Sequence, residues 1–169
     1  MNGSFLGPKF DNDTVRSFLE EKRIPHHFYD SEKELLDKIC EYIEEGKIIG
    51  WFQGRMEFGP RALGGRSIIG DARNSEMQTK INLSIKFRES FRPFAPSVLE
   101  EDFSSFFELK TPSPYMLMVA PVKNNIRREL SPEDKREMKD PNLLKRVKIE
   151  RSSLPAITHV DYSARMQTV

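Results

Sequence analysis

Eight basic side chains crowd one stretch of this sequence: Arg55, Arg61, Arg66, Arg73, Lys80, Lys86, Arg88 and Arg92. Glu57, Asp71, Glu76 and Glu89 oppose them, which leaves a local excess of +4 in a chain whose formal total is +1. The arginines from Arg55 to Arg66 are interleaved with Gly54, Gly59, Gly64 and Gly65. Glycine lets a backbone N–H approach an oxyanion with no Cβ in the way. A guanidinium presents a planar fork to two phosphate or carboxylate oxygens. Residues 51–93 therefore read as a cradle for a phosphorylated ligand. Gln78, Asn82 and Lys86 recur every four residues, so one helix can offer amides and an ammonium from one face while burying Met77, Ile81 and Ile85 with the other. Surface salt bridges and a wetted helix face would give the same pattern, and the residues alone leave both readings open.

Regular elements must position these groups. Val15, Phe18 and Leu19 predict a helix running to about Arg23, with Asn12 or Asp13 as its cap, and Pro25 stops it. Ser31 and Glu34 form a candidate capping box before a second helix with apolar Leu35, Leu36, Ile39 and Ile43, and Gly46 sits where a helix terminates. Residues 47–53 read as a buried strand, 54–65 as a glycine-rich loop and 67–69 as another strand. Ser75 is the expected cap of a third helix reaching Arg88, and Pro93 and Pro96 enforce extended backbone after it. Residues 115–122 and 156–160 are further strand candidates. Between them, 123–151 is dense in charge and reads as a solvated excursion or lid. This order predicts a single mixed α/β domain over 1–169.

Charged residues make up 31% and apolar ones 37%, the balance of a folded, rather polar domain and not of a disordered tail. The near-zero net charge provides no global field for nucleic acid or membrane. One cysteine, Cys40, excludes an internal disulfide, and no Cys/His spacing suggests a metal site. With no apolar leader, a cytoplasmic location is the default. The run from Gly59 to Ser67 superficially resembles a P-loop, but that loop needs G-x-x-x-x-G-K-[ST]. Here an extra glycine intrudes, Arg66 replaces the lysine, and Pro60 removes an N–H.

Several blocks carry a family resemblance. Gly54-Arg55-Met56-Glu57-Phe58-Gly59-Pro60-Arg61-Ala62-Leu63-Gly64 with Arg66-Ser67-Ile68, then Asn82, closely resembles the signature of NodU-type O-carbamoyltransferases. So do the run Ile85-Lys86-Phe87-Arg88-Glu89-Ser90-Phe91-Arg92-Pro93-Phe94-Ala95-Pro96-Ser97, the blocks Thr158-His159-Val160-Asp161 and Ser163-Ala164-Arg165-Met166-Gln167-Thr168-Val169, and the opening Leu6-Gly7-Pro8. The resemblance implies a C-terminal domain similar to YrdC, a mixed twisted sheet flanked by helices, here incomplete at its C-terminal end. The family's serine-asparagine block is not in this sequence, so the chain resembles a truncated fragment that is inactive alone. An open sheet edge near Val169, which invites dimerisation, is expected with it.

In activity, the resemblance implies binding of carbamoyl phosphate and ATP, with Mg²⁺ accompanying the ATP, to form carbamoyl adenylate. A separate N-terminal domain then passes the carbamoyl group to an acceptor hydroxyl. Lys86, Arg92 and Arg88 are implied as the catalytic cations, the spacing Lys86-Phe87-Arg88 resembling the lysine-arginine pair of YrdC-like domains. Arg61, Arg55, Asn82, Arg165 and His159 are implied as substrate-binding. Arg55 has bracing against Glu57 as its alternative, and Arg165 a salt bridge to Asp161. Arg66 and Arg73 read as structural, and Trp51, Phe58, Phe91 and Phe94 as core or loop anchors. Two other classes remain: a non-catalytic RNA- or nucleotide-binding module, disfavoured by the neutral charge and the lack of an RNP-like motif, and a docking domain for the N-terminal half.

Overall fold

The computed structural model of the chain describes residues 3–169. Its elements fall into two compact units, one extending through Ile69 and the other, Gly70–Val169.

In the first unit, α1 (Asn12–Glu21) is capped by Asp11, whose carboxylate accepts from the Thr14 N–H at 2.8 Å. The cap is thus one residue earlier than the sequence predicts: the shorter reach to the third helical N–H belongs to Asp11. Helix α2 (Glu32–Glu44) starts at Ser31, whose hydroxyl accepts from Glu34 N–H. It ends as predicted. Gly46 takes φ +72°, its N–H bonds Ile43 O, and the Lys47 N–H returns to Tyr42 O. That pair of bonds is the Schellman closure, and its left-handed position strains any residue with a Cβ. The chain then enters β1 (Ile49–Phe52), antiparallel to β2 (Arg66–Ile69) with Phe52 opposite Arg66. Neither α1 nor α2 contains a buried residue; Phe18 and Leu36 stay exposed.

The second unit holds most of the buried apolar core, including Met77, Ile81, Phe103, Phe107, Val122 and Met166. Helix α3 (Met77–Ser84) turns Met77 and Ile81 inward. It is shorter at both ends than predicted. Ser75 does not cap it and Glu76, at the cap position, makes no side-chain cap bond. At the other end Ile85 and Lys86 N–H both go to Ile81 O, and Phe87 adopts φ +48°, which no helix continues. Lys86 therefore lies beyond the helix and Ile85 is exposed, so the expected helical stripe stops at Asn82.

After α3 come β3 (Ser97–Val98), the single-turn α4 (Phe103–Phe106) and β4 (Val119–Pro121). The predicted strand 115–122 is cut to its last part because Met116 sits at φ +55° and the Met118 N–H bonds the Ser113 hydroxyl instead of a strand. A 3-10 turn, Asn124–Ile126, precedes α5 (Pro132–Glu137) and α6 (Leu143–Lys148), so the charged excursion is helical in part. Its neck is closed by an antiparallel bridge between Arg127 and Ser152. The predicted strand 156–160 is not one: its backbone turns, and Thr158 O bonds a guanidinium rather than a neighbouring strand. Pairing passes instead to β5 (Ser163–Arg165), antiparallel to β4, and β6 (Gln167–Thr168), parallel to β3. The architecture is mixed α/β, with three two-stranded ladders among the described residues. No helix among those residues is long and apolar enough to cross a membrane.

Candidate functional site

The glycine-arginine loop has an anion in it already, and it is internal. Glu57 is buried, and one of its carboxylate oxygens accepts from the N–H groups of Leu63 at 2.6 Å, Gly65 at 2.7 Å and Arg66 at 3.3 Å. Burial alone would push this carboxyl up, but the converging N–H donors outweigh it and hold it below the usual carboxylate range. Gly65 is required: a Cβ there would lie 2.6 Å from Arg55 O and 3.1 Å from the Glu57 carboxylate. The cradle expected for a ligand phosphate is thus filled by the loop's own glutamate.

The loop's arginines divide accordingly. Arg66 caps the carbonyls of Gln53 at 2.9 Å and Gly65 at 2.7 Å and lies 3.5 Å over the Phe52 ring, a structural role as predicted. Outside the loop, in the second unit, Arg73 forks onto Asp71. Arg55 does not brace against Glu57; it reaches Gly7 O at 3.1 Å and lines a shallow groove with Lys9, Gln53 and Gly54. Arg61 differs. It is half-buried, and its Nε is buried with no hydrogen-bond partner among the described residues. Phe58, predicted as an anchor, is 77% exposed; the loop is held by polar bonds and does not need it.

In the second unit, the turn that follows α3 carries Lys86, Arg88 and Arg92, and two α3 amides hold it. The fully buried Asn82 donates to Ser90 O at 3.1 Å and Arg92 O at 2.8 Å while its carbonyl accepts from Arg88 Nε at 2.6 Å. Gln78 donates to Phe91 O and Arg92 O. Both ends of the Asn82 amide are therefore engaged inside the protein, which makes it a brace for the cationic turn. Arg88 also lies 5.0 Å over the Phe94 ring. Arg92 pairs with Glu89 at 2.8 Å, both exposed, an attachment of little energy. Lys86 is exposed and makes no ion pair among the described residues. Phe91 is largely exposed, since its backbone and not its ring is what α3 grips.

A cleft of about 300 Å³ opens beside this turn. Gln78, Phe91 and Pro93 form one side, and Arg151, Thr158 and His159 line it with them. Burial pushes His159 below its usual range against the opposing pull of Asp161, so the ring is neutral near pH 7. Its Nδ1 meets the Ser163 hydroxyl at 3.1 Å. That hydroxyl lies 2.7 Å from Asp161, whose carboxyl it holds low along with the Ser163 N–H. Asp161 is therefore engaged by Ser163, and no ion pair joins it to Arg165 among the described residues. The half-buried Arg165 keeps a buried Nε without a partner among those residues.

Sequence reasoning missed Arg151. It is 2% exposed and ends a stretch so rich in charge that one more arginine carries no signal. Its Nη1 donates to Thr158 O at 2.7 Å, its Nη2 to Arg146 O, and its Nε has no partner among the described residues. Of the predicted residues, the structure thus gathers Lys86, Asn82, Arg88 and Arg92 on one braced turn and sets His159 in the cleft beside it. Arg55 and Arg61 belong to the first unit. No cluster of three or more His, Cys, Asp or Glu suited to a metal exists among the described residues.

A family model described as the carbamoyltransferase C-terminus matches residues 40–169. An uncharacterised protein of Synechocystis is 53% identical over 100% of this chain, which covers 27% of that protein. Nodulation protein NolO of Bradyrhizobium diazoefficiens is 38% identical over 98% of the chain and 26% of its own length. The 3'-hydroxymethylcephem-O-carbamoyltransferase of Streptomyces clavuligerus is 36% identical over 73% of the chain and 19% of its own length. The chain thus spans about a quarter or less of the length of these curated relatives.

Proposed function

The chain belongs to the carbamoyltransferase C-terminal family, and from that premise we propose that it forms the phosphate-handling part of a carbamoyltransferase. In this reading it binds carbamoyl phosphate and ATP, the latter with Mg²⁺, on a YrdC-like domain. Water hydrolyses carbamoyl phosphate to carbamate and inorganic phosphate, and the carbamate attacks the α-phosphorus of ATP and expels pyrophosphate. The resulting carbamoyl adenylate then loses AMP as an acceptor hydroxyl attacks the carbamoyl carbon, a step assigned to a further domain in a chain of the relatives' length.

The observation that carries the reading is the braced turn, with three cations within seven residues held by the buried amide of Asn82. Charge developing on phosphoryl oxygens is stabilised most by cations that need no reorganisation. Arg88 is fixed by Asn82 and Phe94; Lys86 carries no competing ion pair among the described residues. Arg92 need only release an exposed Glu89. Phe87, 84% exposed at φ +48°, is the kind of strained residue that a turn of this role retains. Arg165, in the same unit, adds a further half-buried guanidinium; Arg55 and Arg61 are separate candidate cations within the first unit.

The test is carbamoyl phosphate-dependent exchange of pyrophosphate into ATP, measured on a protein that carries this chain within the length of its relatives. Exchange is expected, with a fall of 100-fold or more, about 3 kcal/mol, in Lys86→Ala or Arg92→Ala. Both side chains are exposed, so these variants should fold. No exchange, together with salt-sensitive RNA binding, would replace the enzyme by a nucleic-acid module; no exchange and no RNA binding would leave a docking domain.

A further inference from the structure

In the first unit the segment 4–9 runs alongside 55–58. The Gly7 N–H reaches Met56 O at 2.9 Å, and the Met56 N–H reaches Pro8 O at 3.0 Å. Within this pairing Lys9 stands directly opposite Arg55 in an antiparallel bridge. Side chains opposite each other across antiparallel backbone share a face, and two like charges placed so repel. Both are exposed, and neither makes an ion pair among the described residues. The Asp11 carboxylate is close enough to feel Lys9 but is committed to the Thr14 N–H as the cap of α1.

The groove these two cations line has about 360 Å³ of room, with Phe5, Gln53, Gly54 and Gly65 around them. Its backbone oxygens are taken from within the protein. Gly7 O accepts from Arg55 Nη1 at 3.1 Å, and Pro8 O from the Met56 N–H. Gln53 O and Gly65 O accept from Arg66 Nη1 at 2.9 and 2.7 Å, and the stacking of Arg66 on Phe52 pins that floor. Donors are what remain. Arg55 spends one nitrogen on Gly7 O and keeps Nε and Nη2 without an acceptor among the described residues, and the Lys9 ammonium likewise has none.

We propose that this groove binds a phosphate dianion, held by the Lys9 ammonium and by Nε and Nη2 of Arg55. Two cations on one face call for two negative charges, and a phosphate or phosphate monoester carries about two at neutral pH. A single carboxylate leaves one of the cations uncompensated. Nε–H and one Nη2–H lie side by side, the fork that matches two phosphate oxygens. The free ion and an ester of an organic body share this chemistry, and the Phe5 ring offers packing to the ester's body alone. The inference does not depend on the carbamoyltransferase reading, because the groove lies wholly in the first unit and the cationic turn in the second.

Nuclear magnetic resonance of the isotope-labelled chain, titrated with inorganic phosphate and with phenyl phosphate, tests the proposal. The backbone amide signals of Lys9, Gln53, Gly54 and Gly65 should move together on one saturating curve, and chloride at the same ionic strength should leave them still. Lys9→Met keeps the stem and removes the charge, and should weaken binding about five-fold. Lys9→Arg should retain it. Lys9 bonds to no other side chain among the described residues, so both variants should fold, with signals elsewhere in place as the check. Arg55→Lys keeps the charge, loses the fork and should bind less tightly than the unaltered chain. Tighter binding of phenyl phosphate identifies an ester as the ligand, and equal binding the free ion; either supports the proposal. Groove signals silent to both ligands, a response that chloride reproduces, or one unmoved in a folded Lys9→Met overturns it, and none of these outcomes bears on pyrophosphate exchange.

Discussion

Residues 54–66 in the first unit and 151–165 in the second are both rich in polar groups under partial burial, yet they use them in opposite ways. In the loop, the Glu57 carboxylate takes three N–H groups and the Arg66 guanidinium takes several carbonyls, so donors and acceptors cancel internally. In the later segment, Ser163 links Asp161 to His159, and the Nε atoms of Arg151 and Arg165 lack partners among the described residues. Glycine and arginine density marks a loop that must be held in shape. Hydrogen-bonding capacity left over after folding marks where a ligand is needed. The first is a property of composition, the second of geometry.

The sharpest way to break this contrast is at Glu57. Glu57→Ala would leave the buried N–H groups of Leu63 and Gly65 without their acceptor, at a cost of about 3 kcal/mol read from urea denaturation. A loss below about 1 kcal/mol would mean the carboxylate is replaceable and the cradle open to ligand. Acid provides a second reading. The folded pKa is depressed, so the contribution of Glu57 is complete above the unfolded carboxyl value of about 4.3 and is lost as pH falls through the lower folded value. The stability gap between the unaltered chain and Glu57→Gln should therefore narrow on acidification, and a gap that widened would contradict the assignment.

A smaller effect is expected at Asn82, which bridges the two kinds of behaviour: its own groups are all engaged, but they hold a turn whose cations are not. Asn82→Ala should cost about 2 kcal/mol, since Ser90 O loses its donor and Arg88 loses its anchor. Phosphate affinity should fall as well, because Lys86, Arg88 and Arg92 would no longer be preorganised. If calorimetry shows unchanged affinity in a destabilised Asn82→Ala, the brace is structural only and the cations find their places without it.

The sequence made some of this plain. The end of α2 was readable at Gly46 because a left-handed residue after an apolar stripe leaves few alternatives. The strands β1 and β2 were readable one by one because loop and strands differ so much in composition, but their pairing was not, and β1 has no buried residue where 47–53 read as a buried strand. The early end of α3 was not, since it depends on Asn82 gripping backbone eight and ten residues onward, and no local propensity encodes that. The failure at 156–160 has the same origin: Ala156 and Ile157 are buried, but Arg151 takes the Thr158 carbonyl and the backbone turns. For the candidate site, residue types marked the whole basic stretch 51–93 with Lys86 on a helix, and the resemblance narrowed it to Lys86, Arg88 and Arg92 and added His159. Asn82, by contrast, was expected to face a ligand and is wholly internal.

Arg61 offers the smallest shift and the most discriminating one. It is the member of the loop whose buried Nε breaks the rule of internal cancellation. A buried donor without an acceptor lowers stability, so removing it while keeping the apolar stem should cost little. Arg61→Met is expected to change unfolding free energy by no more than about 0.5 kcal/mol, in either direction, while weakening phosphate binding by several-fold. If Arg61 were one more internal staple like Arg66, the result would reverse, with a clear loss of stability and unaltered phosphate affinity. The two measurements on one variant thus decide whether the loop's interior is scaffold throughout or scaffold around a single functional cation.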